Sequence, residues 1–283
     1  MTAKLVLVPL GVALLVLLLL TLWMVSRQES LVFFPDRNLR LTPAMLGLDA
    51  DVLELPAGGG AVLHGWWIRG GGRAVIVFFH GNAGNAGDRL DRARLLVAAL
   101  HVDVVLADYR GYGKSSGAPG EEGLYADGLA MVAEAVRRGT PPERIVLFGE
   151  SLGCAVAIET ALVRPCAGVI LEAPFLSLAA MARRYYPWIP APLIRLRFDN
   201  GAKIGRIAVP KLFAQAERDE VVPPEQTRRL FELASAPKTL FVIPRAVHND
   251  AYLVGGAAYL GAVRQFLDAT VSPLPSPPGR GTG

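Results

Sequence analysis

The sequence predicts an α/β domain, a mostly parallel eight-stranded sheet flanked by helices, preceded by one transmembrane helix. Three observations lead there. From about residue 50, short apolar runs alternate with longer amphipathic ones. The runs crowd together at first and then alternate strictly with helix-like segments, the pattern of a parallel sheet covered on both faces. Ahead of them, Leu5 to Val25 carry no charged side chain.

Composition narrows the class. The chain has 283 residues, of which 52% are apolar and 19% charged, so it affords a sizeable core and is too apolar for general disorder. A net charge of +4 with scattered arginines does not make a nucleic-acid surface, and no nucleic-acid partner is expected. The two cysteines, Cys154 and Cys166, are too few for a disulfide framework and stand in neither a CxxC nor a Cys/His ligand spacing, which leaves the redox compartment open.

In chain order, the first element is the apolar run. Its 21 residues, at about 1.5 Å each, span roughly 31 Å, enough for a hydrocarbon core of roughly 30 Å. Lys4 is also compatible with a cleaved signal peptide. However, the run exceeds the usual core of roughly 7–15 residues and ends in Trp23-Met24-Val25-Ser26-Arg27, with no small-residue cleavage site. Residues 1–28 are therefore expected to be an uncleaved, single-pass membrane anchor, 29–270 the α/β domain, and 271–283, rich in Pro, Gly and Ser, a disordered tail. Lys4 on one side and Arg27, Arg37 and Arg40 on the other leave the orientation open.

Strands are expected at Asp51–Leu55, Leu63–Ile68, Ala74–Phe79, Val102–Ala107, Arg144–Phe148, Gly168–Leu171, Lys211–Ala216 and Thr239–Ile243. Helices are expected near 86–100, 121–138, 152–163, 224–235 and 256–268. Ligands of such sheets bind at the carboxyl ends of the strands, so the residues just after each strand are the candidates.

After the fifth strand stands Gly149-Glu150-Ser151-Leu152-Gly153, and a helix of small residues follows. This G-x-S-x-G pattern, between strand and helix, is the context of a nucleophile elbow. A serine at so sharp a turn has a strained backbone. Side chains two before and two after it would collide, so Gly149 and Gly153 suit the turn.

A serine hydroxyl needs a base, and the base needs an acid to orient it. Of four histidines, His64 lies within a strand, His101 ends a helix and His80 precedes the serine. His248, a short loop after the last strand, is the candidate base. Asp219, just after the strand at Lys211–Ala216, is the candidate acid, and Glu172 at another strand end is the alternative. Glu217 and Glu220 read as solvated loop charges, and Asp250 as a helix cap or loop hydrogen-bonder.

An oxyanion needs preorganised N–H donors. Leu152, next after Ser151 and at a helix N-terminus, offers one amide. The loop His80-Gly81-Asn82-Ala83-Gly84-Asn85 offers the second from Asn82, with His80, Gly81 and Asn85 supporting the loop. The stretch from Asp108 to Ser115 ends like a phosphate-binding loop. Asp108 stands where that motif needs glycine, and nucleotide binding is rejected.

Together these motifs resemble the membrane-anchored, serine-aminopeptidase-like branch of the α/β-hydrolases, also labelled abhydrolase-domain proteins. The likeness spans roughly residues 30 to 268 and includes His248-Asn249-Asp250. It implies Ser151 as nucleophile, Asp219 as acid, His248 as base, and no metal or organic cofactor. The expected activity is that of a serine hydrolase cleaving carboxylic esters or thioesters through an acyl-enzyme, on small-molecule, lipid or acylated substrates, with lysophospholipases and thioesterases among the similar proteins. A serine peptidase and a non-catalytic protein on the same fold are the alternatives. Residues 173–209, where such folds insert a lid, read either as two short helices on the sheet edge or as an apolar wall for an acyl chain.

Overall fold

The computed structural model describes residues 2–271, so the expected tail lies, apart from Val271, outside the described residues. Its centre is an eight-stranded sheet. The strands are β1 (Ala50–Ala57), β2 (Ala61–Ile68), β3 (Val75–Phe79), β4 (Asp103–Ala107), β5 (Ile145–Glu150), β6 (Gly168–Glu172), β7 (Lys211–Ala216) and β8 (Lys238–Ile243). They lie in the order β8-β7-β6-β5-β3-β4-β2-β1. β1 and β2 form an antiparallel hairpin and β2 runs antiparallel to β4, while every other pairing is parallel. Each strand falls on one of the expected runs.

Alternate residues feed two cores, because successive side chains point to opposite faces. On β3, Val75, Val77 and Phe79 join one core while Ile76 and Phe78 join the other. On the first face lie α4 (Glu121–Arg137), α5 (Leu152–Val163) and α8 (Pro224–Leu233), and on the second α3 (Leu90–Leu100) and α9 (Ala251–Thr270). A strand covered on both faces must be apolar throughout, which is why β3 reads Val-Ile-Val-Phe-Phe.

α9 begins earlier than the helix expected at 256–268. Gly256 adopts φ 45° and ψ −126°, so the element is two helical pieces meeting at a kink, and the first piece is too short to show a period. Two short helices, α6 (Leu178–Tyr185) and α7 (Asn200–Ile204), lie within the 173–209 segment, separated by a stretch that includes a single 3-10 turn at Ala191–Leu193.

The N-terminal apolar run is the helix α1 (Thr2–Ser26), followed at once by α2 (Gln28–Val32). From Leu7 to Leu20 the large apolar side chains of α1 are exposed, whereas Thr21 and Met24 are buried against the domain. Beyond α2, Phe34–Pro35 pairs in parallel with Ala83–Gly84. That two-residue bridge ties the segment after α1 to the loop after β3.

Candidate active site

The carboxyl ends of the parallel strands carry the candidate residues. Ser151 ends β5 and opens α5 with φ 52° and ψ −113°, a conformation costly for any residue with a Cβ. Its backbone is held on both sides, the Ser151 N–H donating to the Glu172 carbonyl at 2.8 Å and its carbonyl accepting from the Cys154 N–H at 3.0 Å. The glycines are needed for close approach. A Cβ on Gly149 would lie 2.5 Å from the Cys154 Cα, and one on Gly153 would strike the Phe79 carbonyl at the end of β3.

Two loops bring the other groups to the serine. His248 Nε2 lies 3.1 Å from Ser151 Oγ, and His248 Nδ1 lies 2.9 and 2.8 Å from the two carboxylate oxygens of Asp219. Asp219 Oδ1 also accepts the Val221 and Val222 N–H groups at 2.9 and 2.7 Å, which fixes the carboxylate. Burial alone would lower the His248 pKa. The hydrogen bond and charge of Asp219, with Glu150 and Glu172 behind it, outweigh burial and raise it above its ordinary value.

Glu217 and Glu220 are exposed, yet they are more than solvated charges. Glu217 accepts the Arg245 N–H at 2.8 Å and Glu220 the His248 N–H at 3.2 Å, so the loop after β7 grips the loop after β8. Asp250 accepts the Val247 N–H at 2.8 Å, acting as a loop hydrogen-bonder without a side-chain cap bond. His101 caps α3 in the left-handed conformation, and half-buried His64 packs edge-on to Trp66.

Glu172, the alternative acid, is engaged by other partners. Its carboxylate accepts from Arg92 Nη1 at 2.8 Å and from the Tyr259 hydroxyl at 2.6 Å, on the opposite face of the sheet end. Arg92 also lies 3.5 Å from Glu150, which takes a second cation from Arg89 at 3.1 Å. Burial opposes the charge on Glu150, but Arg92 and Arg89 hold its pKa down at about 2. Sequence reasoning missed this cluster. Arg92 looks like any helical arginine, and its partner Glu172 is 80 residues away.

Asn82 and Leu152 both line a cleft that contains Ser151. Leu152 opens α5, so its N–H has no partner within the helix. The Asn82 loop is held from three directions: the Asn82 carbonyl accepts from the Phe34 N–H at 2.9 Å and the Tyr112 hydroxyl at 2.8 Å, and its side chain donates to the Val32 carbonyl at 2.9 Å. Buried Asn85 caps the next turn through the Gly87 N–H and donates to the Asp36 and Asn38 carbonyls. His80 is fully buried, with Nδ1 2.8 Å from the Gly81 carbonyl, and burial drives its pKa down to about 3, leaving it neutral. A Cβ on Gly81 would meet Glu150 at 3.2 Å.

The stretch from Asp108 to Ser115 supports this loop. The Tyr109 hydroxyl donates to the His80 carbonyl at 3.0 Å, and Asp108 Oδ1 accepts the Ala86 N–H at 2.7 Å. Burial pushes the Asp108 pKa up to about 7. A Cβ on Gly113 would strike the Asp108 carboxylate, so the glycine lets that side chain pack against the backbone.

The cleft over Ser151 has a volume of about 270 Å³ and is mostly apolar. The 173–209 segment supplies much of one wall through Leu178, Met181, Tyr185, Ile189 and Leu196. Among the described residues no cluster of three or more His, Cys, Asp or Glu is arranged to hold a metal.

The strand order and the groups gathered at its carboxyl edge define an α/β-hydrolase, and the chain belongs to that family. Residues 71–201 match the family model described as serine aminopeptidase, S33. An uncharacterized protein of Mycobacterium tuberculosis is 40% identical over 258 residues, covering 87% of this chain and 89% of the relative. The α/β hydrolase domain-containing protein WAV2 of Arabidopsis thaliana is 32% identical over 276 residues, with 87% and 89% covered. Among solved structures, the Pyrococcus furiosus esterase Pf2001 superimposes with a TM-score of 0.70 over 85% of this chain and 99% of its own, at 22% identity, a likeness of fold. Membership makes the chain a hydrolase by class.

Proposed function

We propose that the protein is a membrane-anchored serine hydrolase that cleaves carboxylic esters or thioesters of lipid or acylated substrates through an acyl-enzyme. The observation that carries this reading is the chain of contacts Ser151 Oγ to His248 to Asp219, with Ser151 opening into an apolar cleft.

Ser151 Oγ attacks the acyl carbonyl carbon as His248 Nε2 takes its proton, and Asp219 stabilises the imidazolium that forms. The tetrahedral oxyanion accepts hydrogen bonds from the Asn82 and Leu152 amides, each worth typically about 10²- to 10³-fold in rate. His248 returns the proton to the departing alcohol or thiol, and water repeats the sequence to release the acid. No metal or cofactor takes part in this scheme.

The residues lining the cleft include no Asp or Glu to hold a free amine, which favours an ester over an aminopeptidase substrate. The anchor reading rests on α1, whose residues Leu7–Ser26 are long and apolar enough to cross a bilayer and whose apolar side chains are exposed rather than gathered on one stripe. On this reading residues 1–28 are the anchor and 29–270 the catalytic domain.

The test is hydrolysis of p-nitrophenyl esters from acetate to palmitate, a thioester and an aminoacyl anilide by detergent-solubilised wild type and Ser151→Ala. The expected result is ester or thioester turnover that Ser151→Ala reduces to a residual level. Equal activity in the two proteins, or turnover of the anilide alone, contradicts the proposal.

A further inference from the structure

The cleft is bounded by more than the hydrolase domain. Met24 and Val25 of α1, and Gln28, Leu31 and Val32 of α2, line it together with Tyr186, Ile189 and Ile194. The residues α1 turns toward the domain near its end are Thr21, Met24 and Val25, and Gln28 at the start of α2 continues the stripe, while Leu22 and Trp23 stay exposed. Met24 and Val25 lie within one turn of the end of the membrane-spanning segment at Ser26.

This junction is bonded into both sides of the site. The Gln28 side chain donates to the Leu193 carbonyl at 2.7 Å and accepts the Arg195 N–H at 2.7 Å, so both ends of its amide are clasped to the segment that covers the cleft. Arg195 Nη2 reaches the Val25 carbonyl at 3.3 Å. At the other end of α2, the Val32 carbonyl accepts from the Asn82 side chain in the candidate oxyanion loop. A simple tether would need none of these contacts.

We infer that the membrane-proximal end of α1 together with α2 is a specificity wall, with Met24, Val25 and Leu31 contacting the acyl chain of a substrate drawn from the adjoining bilayer leaflet. This rests on the reading of Ser151 as an ester or thioester nucleophile and names the substrate's apolar part. The chain enters at the level where the anchor leaves the membrane, passes between α2 and the covering segment, and presents its carbonyl to Ser151. The group released, alcohol or thiol, needs no apolar surface of its own.

The test uses the full chain in micelles and measures the ratio of kcat/KM for p-nitrophenyl octanoate, decanoate and laurate to that for acetate. A methylene shut out of an apolar site costs roughly fourfold in that ratio. Leu31→Trp, which fills the cleft, is expected to shift the optimum to shorter chains and lower the longest-chain ratio by roughly 15- to 60-fold, the effect of two or three methylenes. Leu31→Ala is expected to shift the optimum the other way, and Gln28→Ala, which unclasps α2, to flatten the dependence. Leu15→Trp, on the exposed part of α1, is expected to keep the wild-type ratio. Labelling of Ser151 by a fluorophosphonate reports that each variant retains a folded site.

Opposite shifts in the two Leu31 variants support the inference. Unchanged chain-length profiles in both, with wild-type acetate hydrolysis abolished by Ser151→Ala, overturn it and leave the hydrolase reading standing. Absence of any Ser151-dependent ester hydrolysis in wild type overturns the hydrolase reading and this inference with it.

Discussion

Replacing Arg92 by Met tests how the strand ends are held in place. Arg92 is buried, with its guanidinium 2.8 Å from Glu172, 3.5 Å from Glu150 and 4.3 Å above the Tyr252 ring. Methionine fills much of the same volume but carries no charge. Glu150 would keep Arg89, whereas Glu172 would retain only the Tyr259 hydroxyl. Breaking a buried ion pair from one side costs about 3–5 kcal/mol, because the remaining charge is uncompensated. For a domain of this size each kcal/mol lowers Tm by about 2–4 °C, so a fall of about 6–20 °C is expected. Adding Glu172→Gln to Arg92→Met removes the stranded charge while keeping an acceptor for Tyr259, and is expected to recover part of the loss. Thermal unfolding in detergent, followed by circular dichroism, reads both. A fall under about 3 °C in Arg92→Met, or a further fall in the double variant, refutes the reasoning.

Other outcomes follow from the same geometry. Asp219→Asn is expected to lower kcat by up to about 10⁴ with folding intact, measured as ester hydrolysis beside a melting curve. Because His248 must be neutral to accept the Ser151 proton and its pKa is raised, kcat/KM is expected to climb with pH through a value above the roughly 6.5 of free imidazole. Asp219→Asn removes the foremost raising interaction, so the limb of its residual activity is expected to move to lower pH. Tyr112→Phe removes one hydrogen bond from the Asn82 carbonyl and is expected to lower kcat roughly 2- to 10-fold with little change in KM, since a neutral hydrogen bond is worth about 0.5–1.5 kcal/mol. A change confined to KM in Tyr112→Phe would count against its role in holding the candidate oxyanion loop.

The sheet was legible in the sequence because strands buried on both faces must be written as apolar runs, and the turns between them as Gly, Pro and polar residues. The elbow was legible for a related reason: Gly149 and Gly153 are forced by backbone crowding that any side chain would violate. What pattern alone could not resolve was partnership across space. Asp219 and Glu172 both stand at strand ends, and only the path of the loop after β8 separates them, delivering His248 to one while Arg92 and Tyr259 take the other. The pairing of Phe34–Pro35 with Ala83–Gly84 has no periodicity to read, being two residues long. The 173–209 segment combines both expectations, since its short helices are also a wall of the cleft. The bond between Gln28 and that wall joins residues 165 and 167 positions apart, with no local signal at either end.

The central claim is that Ser151 is the nucleophile. Its most direct test is to treat solubilised wild type, Ser151→Ala and His248→Ala with a fluorophosphonate and map the modified peptide by mass spectrometry. The account predicts a single adduct on Ser151 in wild type, none in Ser151→Ala and greatly slowed labelling in His248→Ala. An adduct on another residue, or folded wild type that takes no label, would contradict it.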